Sequence, residues 1–177
     1  MAKNPNASAK RSLALPADGG GNRAHNEILL DRSGRGSPVR VLVVEDFAPF
    51  RQVIRSTLQE RPELQVIGEA TDGLDAAQKA EELQPDLILL DIGLPKQDGI
   101  EAARRIRKLA PGCKILFVCQ ENSPDVVQEA LCLGAAGYVV KARTASELLA
   151  AVEAVLQGKQ FVSASLERDL PAIVAHD

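Results

Sequence analysis

The sequence has no tryptophan, a single tyrosine and an aromatic share of only 3%. A core of ordinary size must then be built from Val, Ile, Leu and Ala. Cysteine is also scarce: Cys113, Cys119 and Cys132 form no CxxC pair, and an odd count argues against a disulfide framework. Free thiols in a reducing compartment are the simpler expectation. No apolar run approaches the roughly 20 residues of a membrane span. An N-terminal apolar segment followed by a small-residue cleavage site is lacking too, so the expected location is the cytoplasm and no membrane contact is expected.

What is present suffices for one sizeable domain: 177 residues, 45% of them hydrophobic. The formal charge of −3 is unevenly spread. Residues 1–37 carry six Lys/Arg against three acids, whereas residues 38–177 carry fifteen against twenty-one. A net acidic folded part is a poor match to a nucleic-acid backbone, and no specific DNA binding is expected. Residues 1–37 contain Gly19-Gly20-Gly21 and Ser33-Gly34-Arg35-Gly36, with only Ile28-Leu29-Leu30 able to seed a helical turn. They read as a disordered tail.

The folded part is organised around residues 86–99 (DLILLDIGLPKQDG). Four aliphatic residues between turn formers are too few for a helix and read as a strand buried on both faces. That strand ends on Asp91, and the loop after it is punctuated by Gly93, Pro95 and Gly99. In open parallel sheets, ligand chemistry lies just beyond the carboxyl ends of strands. Similar units flank it on both sides. Residues 40–45 read as a strand ending on Glu45-Asp46, 50–60 as a helix, 64–70 as a strand and 74–83 as a helix. Beyond the centre, 100–109 is a helix, 114–119 a strand, and Ser123-Pro124-Asp125 opens a helix that stops at Gly134. Residues 136–140 form a short strand ending at Lys141, and 146–157 the last helix. Five strand–helix units at this spacing imply an α/β doubly wound parallel sheet with helices on both faces and right-handed crossovers. Residues 161–177 read as a short C-terminal tail in which Phe161-Val162 can pack back; a helix-turn-helix domain is not expected there.

Glu45-Asp46, Asp91 and Lys141 thus converge on one sheet edge. Neighbouring strands lie about 4.8 Å apart, so groups ending them can share one cation. Clustered carboxylates repel unless a hard divalent ion joins them, and Mg²⁺ fits because it takes carboxylate oxygens and keeps several waters. Taken alone, Glu45-Asp46 also fits an acidic pair at a helix N-terminus. A lysine opposite would neutralise further negative charge, such as a phosphoryl group.

Val43-Val44-Glu45-Asp46, Leu90-Asp91-Ile92-Gly93-Leu94-Pro95 with Asp98-Gly99, and Gly137-Tyr138-Val139-Val140-Lys141, in this order and spacing, resemble the receiver domains of bacterial two-component response regulators. The likeness runs over residues 38–160. It looks nearest to receivers of the helix-turn-helix-linked, LuxR-type class. The resemblance implies a flavodoxin-like, five-stranded sheet of order 2-1-3-4-5. It also implies that Asp91 accepts a phosphoryl group from a sensor histidine kinase or phosphotransfer protein. Asp46 would then hold Mg²⁺ directly and Glu45 through water, with Asp91 and the Gly93 backbone carbonyl as further ligands. Lys141 would pair with Asp91 and then with the phosphoryl group, and Tyr138 would be an aromatic switch that turns inward on activation.

Two positions depart from the family pattern. Cys119 stands where Ser or Thr would hydrogen-bond the phosphoryl group, and Gln120 where a small residue is usual. Both remain expected phosphoryl contacts, with Cys119 also part of the switch. The leading expectation is a stand-alone receiver, not an enzyme, that signals through an unidentified downstream protein. A degenerate receiver acting as a phosphorylation-independent binding module is the rival, and homodimerisation is open. A phosphatase of the haloacid dehalogenase type would need a second Asp two residues after Asp91, where Gly93 stands.

Overall fold

The computed structural model of the chain describes residues 36–120 and 123–166. The tail expected over 1–37, including Ile28-Leu29-Leu30, falls outside the described residues except for 36 and 37, as does the C-terminal stretch 167–177. In chain order the elements are β1 (Val39–Val44), α1 (Ala48–Leu58), β2 (Leu64–Ala70), α2 (Gly73–Leu83), β3 (Leu87–Leu90) and α3 (Gly99–Leu109). They continue as β4 (Lys114–Cys119), α4 (Pro124–Cys132), β5 (Gly137–Val140), a 3₁₀ turn (Lys141–Arg143), α5 (Thr144–Leu156) and β6 (Phe161–Val162). All strand pairs are parallel and the sheet order is β2-β1-β3-β4-β5-β6. The flavodoxin-like doubly wound sheet expected from the sequence is therefore present.

Alternation along each strand divides the core in two. Leu42, Val44, Ile88, Leu90, Phe117 and Tyr138 face one helical layer, where they pack with Ala76, Ala80, Ala103, Ile106 and Val127 of α2, α3 and α4. Val41, Val43, Leu87, Leu89, Val118 and Val139 face the other, with Ile54 and Leu58 of α1 and Leu148, Val152 and Val155 of α5. Successive residues of a strand point to opposite faces, so an all-aliphatic run feeds both layers. All four residues of β3 are at most 1% exposed, as the central position requires. The alanines of α2 and α3 let these helices approach closely, and this offsets the shortage of large rings.

The sheet has six strands, where five were expected. Phe161-Val162 pairs with β5 in the register Gly137↔Phe161 and Tyr138↔Val162. A two-residue strand carries no readable periodicity, so the sequence pattern gives only an apolar pair able to pack back. Gly137 permits the approach, since a Cβ there would lie 2.6 Å from the Phe161 carbonyl oxygen. Ser163, fully buried, completes the closure: its Oγ accepts from the Val140 N–H at 2.9 Å and donates to Glu147 on α5.

Ser163→Ala removes both bonds and leaves the buried Val140 N–H without its acceptor, next to a half-buried Glu147. The expected cost is about 1–3 kcal/mol, measured by urea unfolding of the full chain. An unchanged midpoint would mean that β6 contributes nothing to closing the sheet.

Candidate functional site

The parallel order places the carboxyl ends of β1, β3, β4 and β5 side by side. The Glu45 N–H donates to the Ala70 carbonyl at 3.0 Å and the Asp91 N–H to the Val44 carbonyl at 3.0 Å, so both acids occupy the first positions beyond neighbouring strands. Lys141, the first residue after β5, reaches across the end of β4. Its Nζ lies 2.7 Å from Asp91 Oδ2 and 2.7 Å from Glu45 Oε2, and 4.9 Å from the centre of the Phe50 ring. The second Glu45 oxygen accepts the Phe47 N–H at 3.1 Å, and Asp91 Oδ1 accepts the Gly93 N–H at 3.3 Å.

The loop after Asp91 folds back beneath it. Gly99 N–H donates to the Ile92 carbonyl at 2.8 Å, and a Cβ on Gly99 would fall 2.0 Å from the Asp91 carbonyl oxygen. Only glycine fits that approach. Lys96, in the left-handed region at φ 64°, pairs with Asp72, which caps α2 by accepting the Leu74 and Asp75 N–H groups.

One cleft of about 650 Å³ collects seven of the eight residues singled out in the sequence: Glu45, Asp46, Asp91, Gly93, Cys119, Gln120 and Lys141. Phe47, Phe50, Ile92 and Val126 complete its wall. Tyr138 is not among them. It is fully buried, with its ring centroid 6.1 Å from that of Phe117, so its side chain already points inward in this structure. Cys119 is fully buried as well, and its thiol donates to the Leu90 carbonyl at 3.6 Å, a sulfur bond directed back into the sheet. Burial, together with the nearby Asp91 charge, pushes that thiol well above its ordinary pKa. Gln120 is exposed at the rim. The apolar wall was not singled out as part of the site; Phe50 showed only as one member of a helical apolar period.

Charge is concentrated here. Glu45, Asp46 and Asp91 each offer an oxygen, all within 4.8 Å of one another. Such a set of hard oxygen donors suits Mg²⁺. Burial raises the Glu45 carboxyl above its ordinary pKa, against the lowering effect of its bond and charge interaction with Lys141. For Lys141 burial acts to lower the pKa, but the bonds to Asp91 and Glu45 outweigh it and the ammonium is held more firmly than usual.

A parallel, doubly wound sheet with three acids and a lysine gathered at its strand ends defines a flavodoxin-like protein with a charged cleft at those ends. The chain belongs to the response regulator receiver domain family, whose profile matches residues 41–153, and thus to two-component signalling. It is 35% identical over 135 residues to response regulator GacA of Pseudomonas viridiflava, an overlap of 75% of this chain and 62% of that protein. With the transcriptional regulatory protein DegU of Brevibacillus brevis it shares 31% over 132 residues, which is 75% of this chain and 56% of the relative. The chain thus spans little more than half the length of these relatives. Among solved structures it resembles a LuxR-family two-component response regulator from Aurantimonas sp. SI85-9A1, at TM-score 0.72 and 32% identity over 76% of this chain and 96% of that one. The response regulator domain of Thermotoga maritima CheB matches at TM-score 0.63 and 34% identity, over 68% and 97%. Among the described residues, no helix is long and apolar enough to cross a membrane.

The raised Glu45 carboxyl has a consequence for stability. The folded protein keeps its proton to higher pH than the unfolded chain, so stability falls as pH rises from about 4.5 through the raised value. Glu45→Gln removes the charge, though it keeps only one of the two acceptor oxygens, and is expected to flatten the fall in Tm between about pH 4.5 and neutral in Mg²⁺-free buffer, whatever its absolute Tm. Paired thermal melts across that range check this. A variant whose Tm falls with pH as steeply as that of wild type contradicts it.

Proposed function

We propose that the chain is a Mg²⁺-dependent phosphoacceptor module in which Asp91 takes a phosphoryl group from a phosphohistidine on a sensor histidine kinase or phosphotransfer protein. The observation that carries this reading is the Lys141 ammonium, shared at 2.7 Å between Asp91 and Glu45 on the wall of an open cleft. An Asp91 carboxylate oxygen attacks phosphorus, the P–N bond to the donor imidazole breaks, and its electron pair stays on the imidazole nitrogen. Lys141, pre-positioned by its two carboxylate partners, then offsets charge on the phosphoryl oxygens. Asp46, Glu45, Asp91 and the Gly93 carbonyl would hold Mg²⁺, which when bound supplies the positive charge that lets phosphoryl oxygens come beside three carboxylates.

In this reading residues 38–160 are the receiver and the chain is not an enzyme: it accepts a phosphoryl group and loses it slowly. Its output is a changed contact with a downstream protein in the cytoplasm, or with a second copy through the α4–β5 face, without specific duplex-DNA binding. The net acidic charge of residues 38–177 supports the last point. A second reading, a binding module indifferent to phosphorylation, is favoured by one feature. The Cys119 thiol is turned toward the Leu90 carbonyl and Tyr138 is already buried, so the arrangement leaves little inward movement for phosphorylation to drive.

Incubation with acetyl phosphate and Mg²⁺ is expected to add the mass of one phosphoryl group to wild type and none to Asp91→Asn, by intact mass spectrometry. A gain that persists in Asp91→Asn would sink the assignment. Absence of any gain in wild type would favour the second reading.

A further inference from the structure

Asp46 stands apart from the other acids. Glu45 and Asp91 are tied to Lys141, but the Asp46 carboxylate is exposed and has no hydrogen bond or ion pair among the described residues. Only its backbone can hold it in place. That backbone leaves β1 after Val44 and enters α1 at Ala48, so the Glu45 and Asp46 carbonyls belong to neither ladder and need partners. One side chain serves both. Arg51, the fourth residue of α1, donates Nη1 to the Glu45 carbonyl at 2.8 Å and to the Asp46 carbonyl at 3.4 Å. Its Nε donates to Glu69 Oε2 at 3.0 Å, and the other Glu69 oxygen is paired with Arg55 at 2.9 Å. The Arg51 side chain is 19% exposed, so the clamp is largely removed from solvent.

We propose that Arg51, braced by Glu69, is a positioning residue that sets where the Asp46 carboxylate stands and thereby the Mg²⁺ affinity of the site. The inference rests on the phosphoacceptor reading above and extends it to two residues outside the cleft wall. Drawing both carbonyls toward α1 fixes two successive peptide planes, which fixes the direction in which the Asp46 side chain leaves the chain. The planar guanidinium is suited to this because it donates to carbonyls and to a carboxylate at once through a rigid fork; a lysine has no such fork. Glu69 has a second effect. It neutralises a cation that would otherwise stand within a few residues of an intended Mg²⁺ site. Groups that orient metal ligands typically change affinity by about 10–100-fold when removed.

The test uses the full chain and Mg²⁺ alone, titrated by calorimetry, with Tm recorded for each variant. Arg51→Lys keeps the charge next to Glu69 and loses the fork. It is expected to keep Tm close to wild type and to weaken Mg²⁺ binding about tenfold or more. Glu69→Gln is expected to weaken binding in the same direction. Saturating Mg²⁺ should then restore labelling of Asp91 by acetyl phosphate in Arg51→Lys, as expected of a residue that places a ligand and takes no part in the transfer. Wild-type Mg²⁺ affinity in both variants overturns the proposal and leaves the phosphoacceptor reading intact. A loss of affinity accompanied by a collapse of Tm in both variants assigns Arg51 a structural role only and also overturns it. Failure of wild type itself to bind Mg²⁺ overturns both readings together.

Discussion

Lys141 pairs at once with Asp91 and Glu45, and the arrangement of the strand ends follows from what that ion pair needs. Two carboxylates at neighbouring strand ends repel, and burial makes that repulsion costlier. One ammonium at 2.7 Å from each relieves it. To deliver that ammonium, β5 lies two strands from β3 and runs two residues further, since Leu90 aligns with Phe117 and Phe117 with Tyr138, so Lys141 reaches back across the end of β4 to Asp91. The order β1-β3-β4-β5 and the 3₁₀ turn that starts at Lys141 serve that placement. The balance is incomplete: with Asp46 close by, three acids face one lysine, and the site keeps a net negative charge that a further cation would offset.

The same geometry explains why the apolar framework is so uniform. Val, Leu and Ile on β1, β3 and β4 feed both helical layers, and the alanines of α2 and α3 draw the layer in. Strand-end groups are then held by a stiff sheet, while the loops around them carry the chemistry. Gly99, beneath the Asp91 carbonyl, links the two: the loop after β3 can fold under the acid only because no side chain intervenes.

Much of this was legible in the sequence. The bounds of β2, β3 and β4 follow from aliphatic runs closed by turn formers, and the convergence of Glu45, Asp46, Asp91 and Lys141 follows from parallel topology. The elements that were not legible share a physical reason. β6 is two residues long, too short for a period. Helix α1 starts at Ala48, before its first periodic apolar residue, because Pro49 is tolerated in a first turn. The inward position of Tyr138 depends on its packing against Phe117 from the adjacent strand, and a register is not written in either strand alone. Arg51 acts through carbonyl oxygens, which leave no trace in side-chain composition. Cys119 was legible as a departure. That its thiol turns toward the Leu90 carbonyl was not.

In the proposed function, Asp91 alone receives the phosphoryl group because Lys141 and the neighbouring acids prepare that one position. Acyl phosphates can be reduced by borohydride to leave a stable mark on the residue that carried the phosphoryl group. The most direct measurement is therefore to label the full chain with a small phosphodonor and Mg²⁺, reduce it, digest it and map the mark by peptide mass spectrometry. The expected result is a mark at position 91 that disappears when Mg²⁺ is chelated. A mark on Asp46, Asp98 or any other residue, or one at position 91 that is indifferent to Mg²⁺, would contradict it.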